Sequence, residues 1–188
     1  MDWLFSIIRI AGASFPVASS LVQLQAEIDS KSLSIRVRRL EDPISCIHED
    51  VPKVGKIIFE ALSVQNRLDL HLEPESYTNY SRPLAMLESC GYLIGNHTIG
   101  HRYYAGISIR DPSFVMYLCA LFEDPERMKQ LISIVDSCKP GQWLNGISLA
   151  SEYFLPEPTV ESVFKIYESK GLGHLSREVG TINYLGHA

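Results

Sequence analysis

Two stretches eighty residues apart restate one another, and this repeat constrains the fold more than any other feature of the chain. At an offset of 80 (168 − 88), Glu88-Ser89-Cys90-Gly91 matches Glu168-Ser169-Lys170-Gly171, Gly100 matches Gly180, and Tyr104-Ala105-Gly106 matches Tyr184-Leu185-Gly186. Six positions are identical between 88 and 106, a window of 19 (106 − 88 + 1), where unrelated sequence shares about one. Glycine can end a helix in the left-handed region, and a tyrosine on the following strand can turn its ring back onto the core. The repeat therefore predicts a duplicated unit ordered helix, glycine, strand, turn, strand. It further predicts that residues near 51–106 superpose on those near 131–186.

The flanking periodicity extends both copies. Asp50 and Pro52 signal a helix start, and Val54, Ile57, Ile58, Ala61 and Leu62 supply its buried face. A short helix follows over Arg82–Ser89, closed by Gly91. Residues 92–94, a turn at 95–98 and the return arm 99–109 read as a hairpin. A second helix of the first copy, near 67–77, is poorly marked. Residues 112–123 form a strongly apolar connecting helix, expected to be buried. Asp124-Pro125-Glu126 starts the next helix, with Met128, Leu131, Ile132 and Val135 on its core face. Residues 147–154 form another helix, and Thr159 is expected to cap the last one, which runs to Lys170 and stops at Gly171. Strand material occupies 174–185, with Gly180 at its turn.

The remaining segments are less regular. Trp3 to Leu24 carries one charge, Arg9, across 22 residues (24 − 3 + 1). Arg9, Pro16, Gln23 and the run Ala11-Gly12-Ala13-Ser14 argue against a spanning helix, and the start Met1-Asp2 against a signal peptide. Two core-facing or partner-facing helices suit this segment best, and peripheral membrane attachment is the alternative. Residues 31–40 fit a strand or a helix and hold Arg36, Arg38 and Arg39, the most basic stretch of the chain. Residues 41–52 read as a linker. The domain organisation expected is thus an N-terminal helical, partner-docking segment at 1–50, a first unit at 51–110, the apolar connector at 111–123 and a second unit at 124–188.

Composition narrows the function classes. With 46% hydrophobic and 21% charged residues, the chain can bury a core and is not a disordered tail. The 17 Lys and Arg against 22 Asp and Glu give a net charge of −5, which opposes a generally basic nucleic-acid coat. Cys46, Cys90, Cys119 and Cys138 form no C-x-x-C pair, so neither a zinc knuckle nor a disulfide framework is expected, and their scatter suits a reducing cytoplasm. No G-x-S-x-G, H-E-x-x-H, phosphate loop or dinucleotide fingerprint is present. His97 and His101 are four apart, but Gly100 and the turn between them spoil helical metal spacing. The expectation is an α+β, mainly helical, non-catalytic protein with no cofactor and no metal.

Helix, glycine, strand, turn and strand, met twice, resembles the winged helix-turn-helix superfamily over roughly 51–110 and 124–186, the second match being the clearer. A small acidic chain with two such units is similar to the tandem winged-helix subunits that accompany SMC-type ATPases, and more loosely to accessory subunits of bacterial antiphage systems. The resemblance implies tandem winged helices behind an N-terminal helical segment, gripping partner proteins as an adaptor subunit. The N-terminal segment is an addition to the SMC-type pattern.

Two ligand classes compete with different residues. For DNA, the second unit offers Thr159, Glu161, Ser162, Lys165 and Lys170 on its last helix and His174 and Arg177 on its wing. The first offers Asn79, Tyr80 and Arg82 at the start of its helix and His97, His101, Arg102 and Arg110 near its wing. That is sparse positive charge for a base reader. For protein partners, the aromatics Tyr77, Tyr80, Tyr92, Tyr103, Tyr104, Tyr117, Trp143, Tyr153 and Phe154 exceed what small winged helices can bury. Trp143 in the loop Pro140-Gly141-Gln142-Trp143 is the favoured anchor, with Trp3, Phe5 and Ile8 on the apolar N-terminal segment. An adaptor is thus the first reading, a DNA-binding regulator the second and a membrane-associated effector the third. Self-association is compatible with the adaptor reading.

Overall fold

A computed structural model describes residues 44, 47–97, 104–176 and 180–186. Among them are seven helices and two three-stranded antiparallel sheets, an α+β architecture dominated by helix. The first half runs α1 (Val51–Gln65), β1 (Asp69–Leu70), α2 (Pro74–Asn79), α3 (Ser81–Ser89), β2 (Leu93–His97) and β3 (Tyr104–Ile109). Helix α4 (Pro112–Phe122) follows. The second half runs α5 (Pro125–Asp136), β4 (Trp143–Asn145), α6 (Gly146–Tyr153), α7 (Glu157–Ser169), β5 (Gly173–Leu175) and β6 (Asn183–Gly186). Each half is ordered helix, strand, helix, helix, strand, strand. In each sheet the return strand lies in the middle, giving orders β1-β3-β2 and β4-β6-β5.

Local chemistry accounts for most element boundaries. Asp124 accepts the Glu126 N–H at 2.9 Å and Asp111 accepts the Ser113 N–H at 2.8 Å, each ahead of a proline at the first helical position. Asn145 caps α6 through the Ser148 N–H at 2.9 Å. Helices α3 and α7 end identically. Gly91 (φ +81) and Gly171 (φ +71) sit in the left-handed region. The N–H groups of Gly91 and Tyr92 bond Glu88 and Leu87 carbonyls, as those of Gly171 and Leu172 bond Glu168 and Tyr167.

Two expectations need correction. Thr159 does not cap α7. The helix starts two residues earlier, at Glu157, because Pro158 suits its first turn and Asn66, at the end of α1, accepts the Glu157 N–H at 2.7 Å. Thr159 is fully buried instead, with its Oγ1 3.5 Å from Cys119 Sγ of α4. Of the aromatics, Tyr77, Tyr92 and Tyr117 are buried, Tyr80, Tyr104 and Tyr153 are half-buried against the core, Trp143 and Phe154 are exposed, and Tyr103 lies outside the described residues.

The second correction concerns the repeat, which holds at 80 only through the helix ends and the strands that follow them. Gly95 pairs with Ile107, and its counterpart Leu175 (95 + 80) pairs with Tyr184, which is 107 + 77. Tyr184 therefore occupies the ladder position of Ile107, not of Tyr104. The shorter second hairpin sets that slip, and burial selects it. Tyr184 is 1% exposed, stacked on Phe164 at 5.0 Å between ring centroids and edge-on to Tyr167 at 6.4 Å. Tyr104 is only half-buried.

One hydrophobic core serves both halves. Helix α4 supplies eight consecutive buried residues, Pro112 to Cys119, and packs against α1 on one side and α7 on the other. Phe59 of α1 meets Phe122 at 5.7 Å, and Phe114 meets Tyr92 at 5.6 Å. A helix apolar on every face is stable in water only when surrounded, and here the two halves surround it.

Candidate interaction surfaces

The two sheets carry equivalent rows that differ most at their first position, exposed aspartate in one and exposed tryptophan in the other. In the first sheet Asp69, Ser108 and Ile94 stand in one cross-strand row; in the second, the equivalent row is Trp143, Leu185 and His174. The pairing gives the correspondence, since the adjacent rows Leu70–Ile107–Gly95 and Leu144–Tyr184–Leu175 both turn inward. In the first row Ser108 is buried, its hydroxyl donating to exposed Asp69 and accepting from Asn96 Nδ2 at 3.2 Å, while Ile94 is 46% exposed. The second is an aromatic and aliphatic stripe. Trp143 is 57% exposed, Leu185 half-buried and His174 exposed, with its Nδ1 2.9 Å from Glu168 Oε1. Leu172, just before β5, is also exposed.

Both sheet edges are covered by the residue that makes the sequence repeat recognisable. Glu88 Oε1 accepts the outward Gly95 N–H at 2.7 Å, and Glu168 Oε1 accepts the outward Leu175 N–H at 3.0 Å. A carboxylate there occupies a donor that would otherwise template pairing with another chain. Glu88 Oε2 also accepts the Tyr104 hydroxyl at 2.9 Å, which, after burial, helps push that phenol up to about 12. Its ring lies over Gly95, where a Cβ would fall 1.9 Å from a ring carbon.

The residues expected to meet DNA are only partly gathered. Exposed Asn79, half-buried Tyr80 and exposed Arg82 come together at the α2–α3 corner, and α3 keeps Ala85 and Ser89 exposed beyond them. Lys165 lies apart on α7, half-buried and held by Glu161 at 2.7 Å. Helix α7 is not an open reading face. Eight of its residues are buried, Thr159 and Ser162 among them, and it is packed by α4, α6 and β5. The expectation that it presents Thr159 and Ser162 is thus overturned. Arg36, Arg38, Arg39, His101, Arg102 and Arg177, and the anchors Trp3, Phe5 and Ile8, lie outside the described residues.

Sequence reading missed a cleft where the halves meet. Among the described residues, Asn66 (φ 50) and Phe154 (φ 53) are the positive-φ residues other than glycine, and both line it, with Glu123, Arg127, Leu155 and Pro156. Arg127 lies 5.9 Å below the Phe154 ring and near Glu123 (3.5 Å) and Asp124 (3.8 Å). Asn66 is a residue type that tolerates the left-handed region at a helix end, whereas no sequence signal marks Phe154.

Among the described residues no group of three His, Cys, Asp or Glu could hold a metal ion, and no helix is long and apolar enough to cross a membrane. The Cys119 thiol is pushed up to about 12 by complete burial, which suits a packing role. Comparison with protein-family models, curated proteins and solved structures finds no match to this chain.

Proposed function

We propose that this chain is a non-catalytic tandem winged-helix adaptor that holds a partner protein through its second sheet. The carrying observation is the Trp143–Leu185–His174 row, standing where the first sheet has Asp69–Ser108–Ile94. A duplicated unit that carries an exposed tryptophan where its counterpart has a hydrogen-bonded aspartate loses solubility there unless something covers it. The repeated element order and the central return strands support the winged-helix assignment. The burial of α7 favours a protein partner, because a reading helix must be free to enter a groove. A multi-subunit bacterial complex, SMC-like or antiphage, is the setting that suits such a subunit.

The test isolates the tagged full chain and a Trp143→Glu variant from the cells that make it and quantifies what each retains. A partner held by the wild type and lost from a variant of unchanged Tm is expected. Identical partner sets would overturn the reading.

DNA binding is the second reading, favoured by the exposed Asn79–Arg82 corner. Titration of a labelled mixed-sequence duplex at about 50 and 200 mM salt decides it. Tight binding with a steep salt slope, abolished by Arg82→Glu, would put DNA ahead; no binding at the lower salt removes it.

A further inference from the structure

Each sheet has two edges, and three of the four carry a guard. Glu88 and Glu168 take outward N–H groups on β2 and β5. On β1 the cover is Gln65. Its Oε1 accepts the His71 N–H at 3.0 Å and its Nε2 donates to the His71 carbonyl at 2.6 Å, the two bonds a neighbouring strand would make. Asp69, the other outward residue of β1, brings a charge to that edge. Sheets are blocked in these ways because unpaired backbone recruits further strands.

The edge of β4 has no such guard. The Gly186 N–H donates to the Gln142 carbonyl, and the Gly146 N–H donates to the Ile182 carbonyl. The alternation of an antiparallel ladder therefore gives Leu144, midway between them, to β6 and turns the N–H and C=O of Trp143 outward. Neither group meets a partner among the described residues, and Gly141, Gln142, Trp143 and Asn145 are all exposed. No charged residue occurs from Pro140 to Ser151, and Ile147, 40% exposed, adds apolar surface just beyond the strand.

We propose that a second copy of this chain occupies this edge, with the two β4 strands antiparallel about a two-fold axis beside Trp143. That symmetry sets Trp143 opposite its own copy, so each N–H meets the other's C=O and both outward groups of both chains are satisfied at once. An uncharged strand sets no like charges against each other, a condition that matters for a chain of net charge −5 meeting itself. The two sheets join as one of six strands, ordered β5-β6-β4-β4-β6-β5, with the two indole rings adjacent on one face. The guards on β1, β2 and β5 stop growth at two chains. Pairing uses the backbone edge and leaves the Trp143 ring on the solvent face, so the inference does not rest on the adaptor reading, whose row it doubles.

Sedimentation equilibrium of the purified full chain from about 1 µM to about 1 mM tests it. A reversible rise from one chain toward two, and no further, is expected. Trp143→Pro deletes the outward donor while sparing the ladder to β6, and should be monomeric throughout. Trp143→Thr keeps the donor and loses the ring, and should still dimerise. Amide exchange on the wild type needs no variant to fold: the Trp143 N–H should exchange at least about tenfold more slowly at the highest concentration than at the lowest. Growth past two chains, a Trp143→Pro variant that dimerises like wild type, a Trp143→Thr variant as monomeric as Trp143→Pro, or exchange independent of concentration overturns the inference. A wild type monomeric throughout also overturns it, leaves the edge to a strand of a different protein, and does not touch the outcome of the Trp143 pull-down.

Discussion

Asn66 joins the two halves with a single side chain, so its substitution separates two contributions cleanly. Its backbone sits at φ 50, ψ 41, where its N–H closes α1 onto the Leu62 carbonyl at 2.9 Å. Its Oδ1 accepts the Glu157 N–H at 2.7 Å, a first-turn donor of α7 that has no partner inside its own helix. Asn66→Gly keeps the left-handed turn and deletes the cap, a loss of about 0.5–1.5 kcal/mol partly offset by relief of backbone strain. Asn66→Ala deletes the cap and must also hold alanine in the left-handed region, about 1–2 kcal/mol more, for a total near 2–3 kcal/mol. Asn66→Asp keeps an acceptor, tolerates the conformation and places a charge at a helix N-terminus, so it should stay near wild type. In a chain of this size one kcal/mol moves Tm by roughly 2–4 °C, so calorimetry should order the proteins aspartate and wild type first, glycine next and alanine about 4–12 °C below wild type. Alanine no worse than glycine would refute the conformational requirement. Aspartate as poor as alanine would refute the cap.

Two further outcomes follow from the same physical terms. Glu88→Ala removes acceptors from the Gly95 N–H and the Tyr104 hydroxyl and should cost about 2–3 kcal/mol while freeing a sheet edge; chemical denaturation with light scattering checks it, and a change under about 0.5 kcal/mol with no self-association would contradict the edge-cover account. Burial lifts the Asp111 carboxyl above its ordinary range, the hydrogen bond from Ser113 pulling it only partly back, so its folded pKa exceeds its unfolded one. That contribution is full below about pH 3.9 and fades as pH rises through the elevated folded value. Asp111→Asn retains the cap and removes the titration, so its stability relative to wild type should grow between acid and neutral pH; a constant difference across that range would contradict the assignment.

Short-range signals were read well because their causes are short-range. Asp124-Pro125, Gly91 and Gly171 act within a single turn, and the i, i+3, i+4, i+7 stripe Met128, Leu131, Ile132, Val135 is the buried face observed. The strands β1 and β4 were missed because at two and three residues they have no periodicity of their own and exist by pairing with β3 and β6. Of the candidate site, Trp143 was legible as an aromatic in a Pro-Gly loop. The row it shares with Leu185 and His174 was not, since those three residues lie up to 42 positions apart (185 − 143).

By itself, then, the sequence determined the longer helices, the hairpin that ends each half, the glycine stops and the fact of repetition, since each follows from interactions among neighbours along the chain. Tertiary structure alone decided the hairpin register, the burial of α7 and the exposure of Phe154. Register depends on which side chain best fills the space over Phe164, and Tyr184 does so three residues out of step with the repeat. The fate of α7 depends on α4 lying across it, an apolar helix that must be covered on every side and so draws both halves into one core.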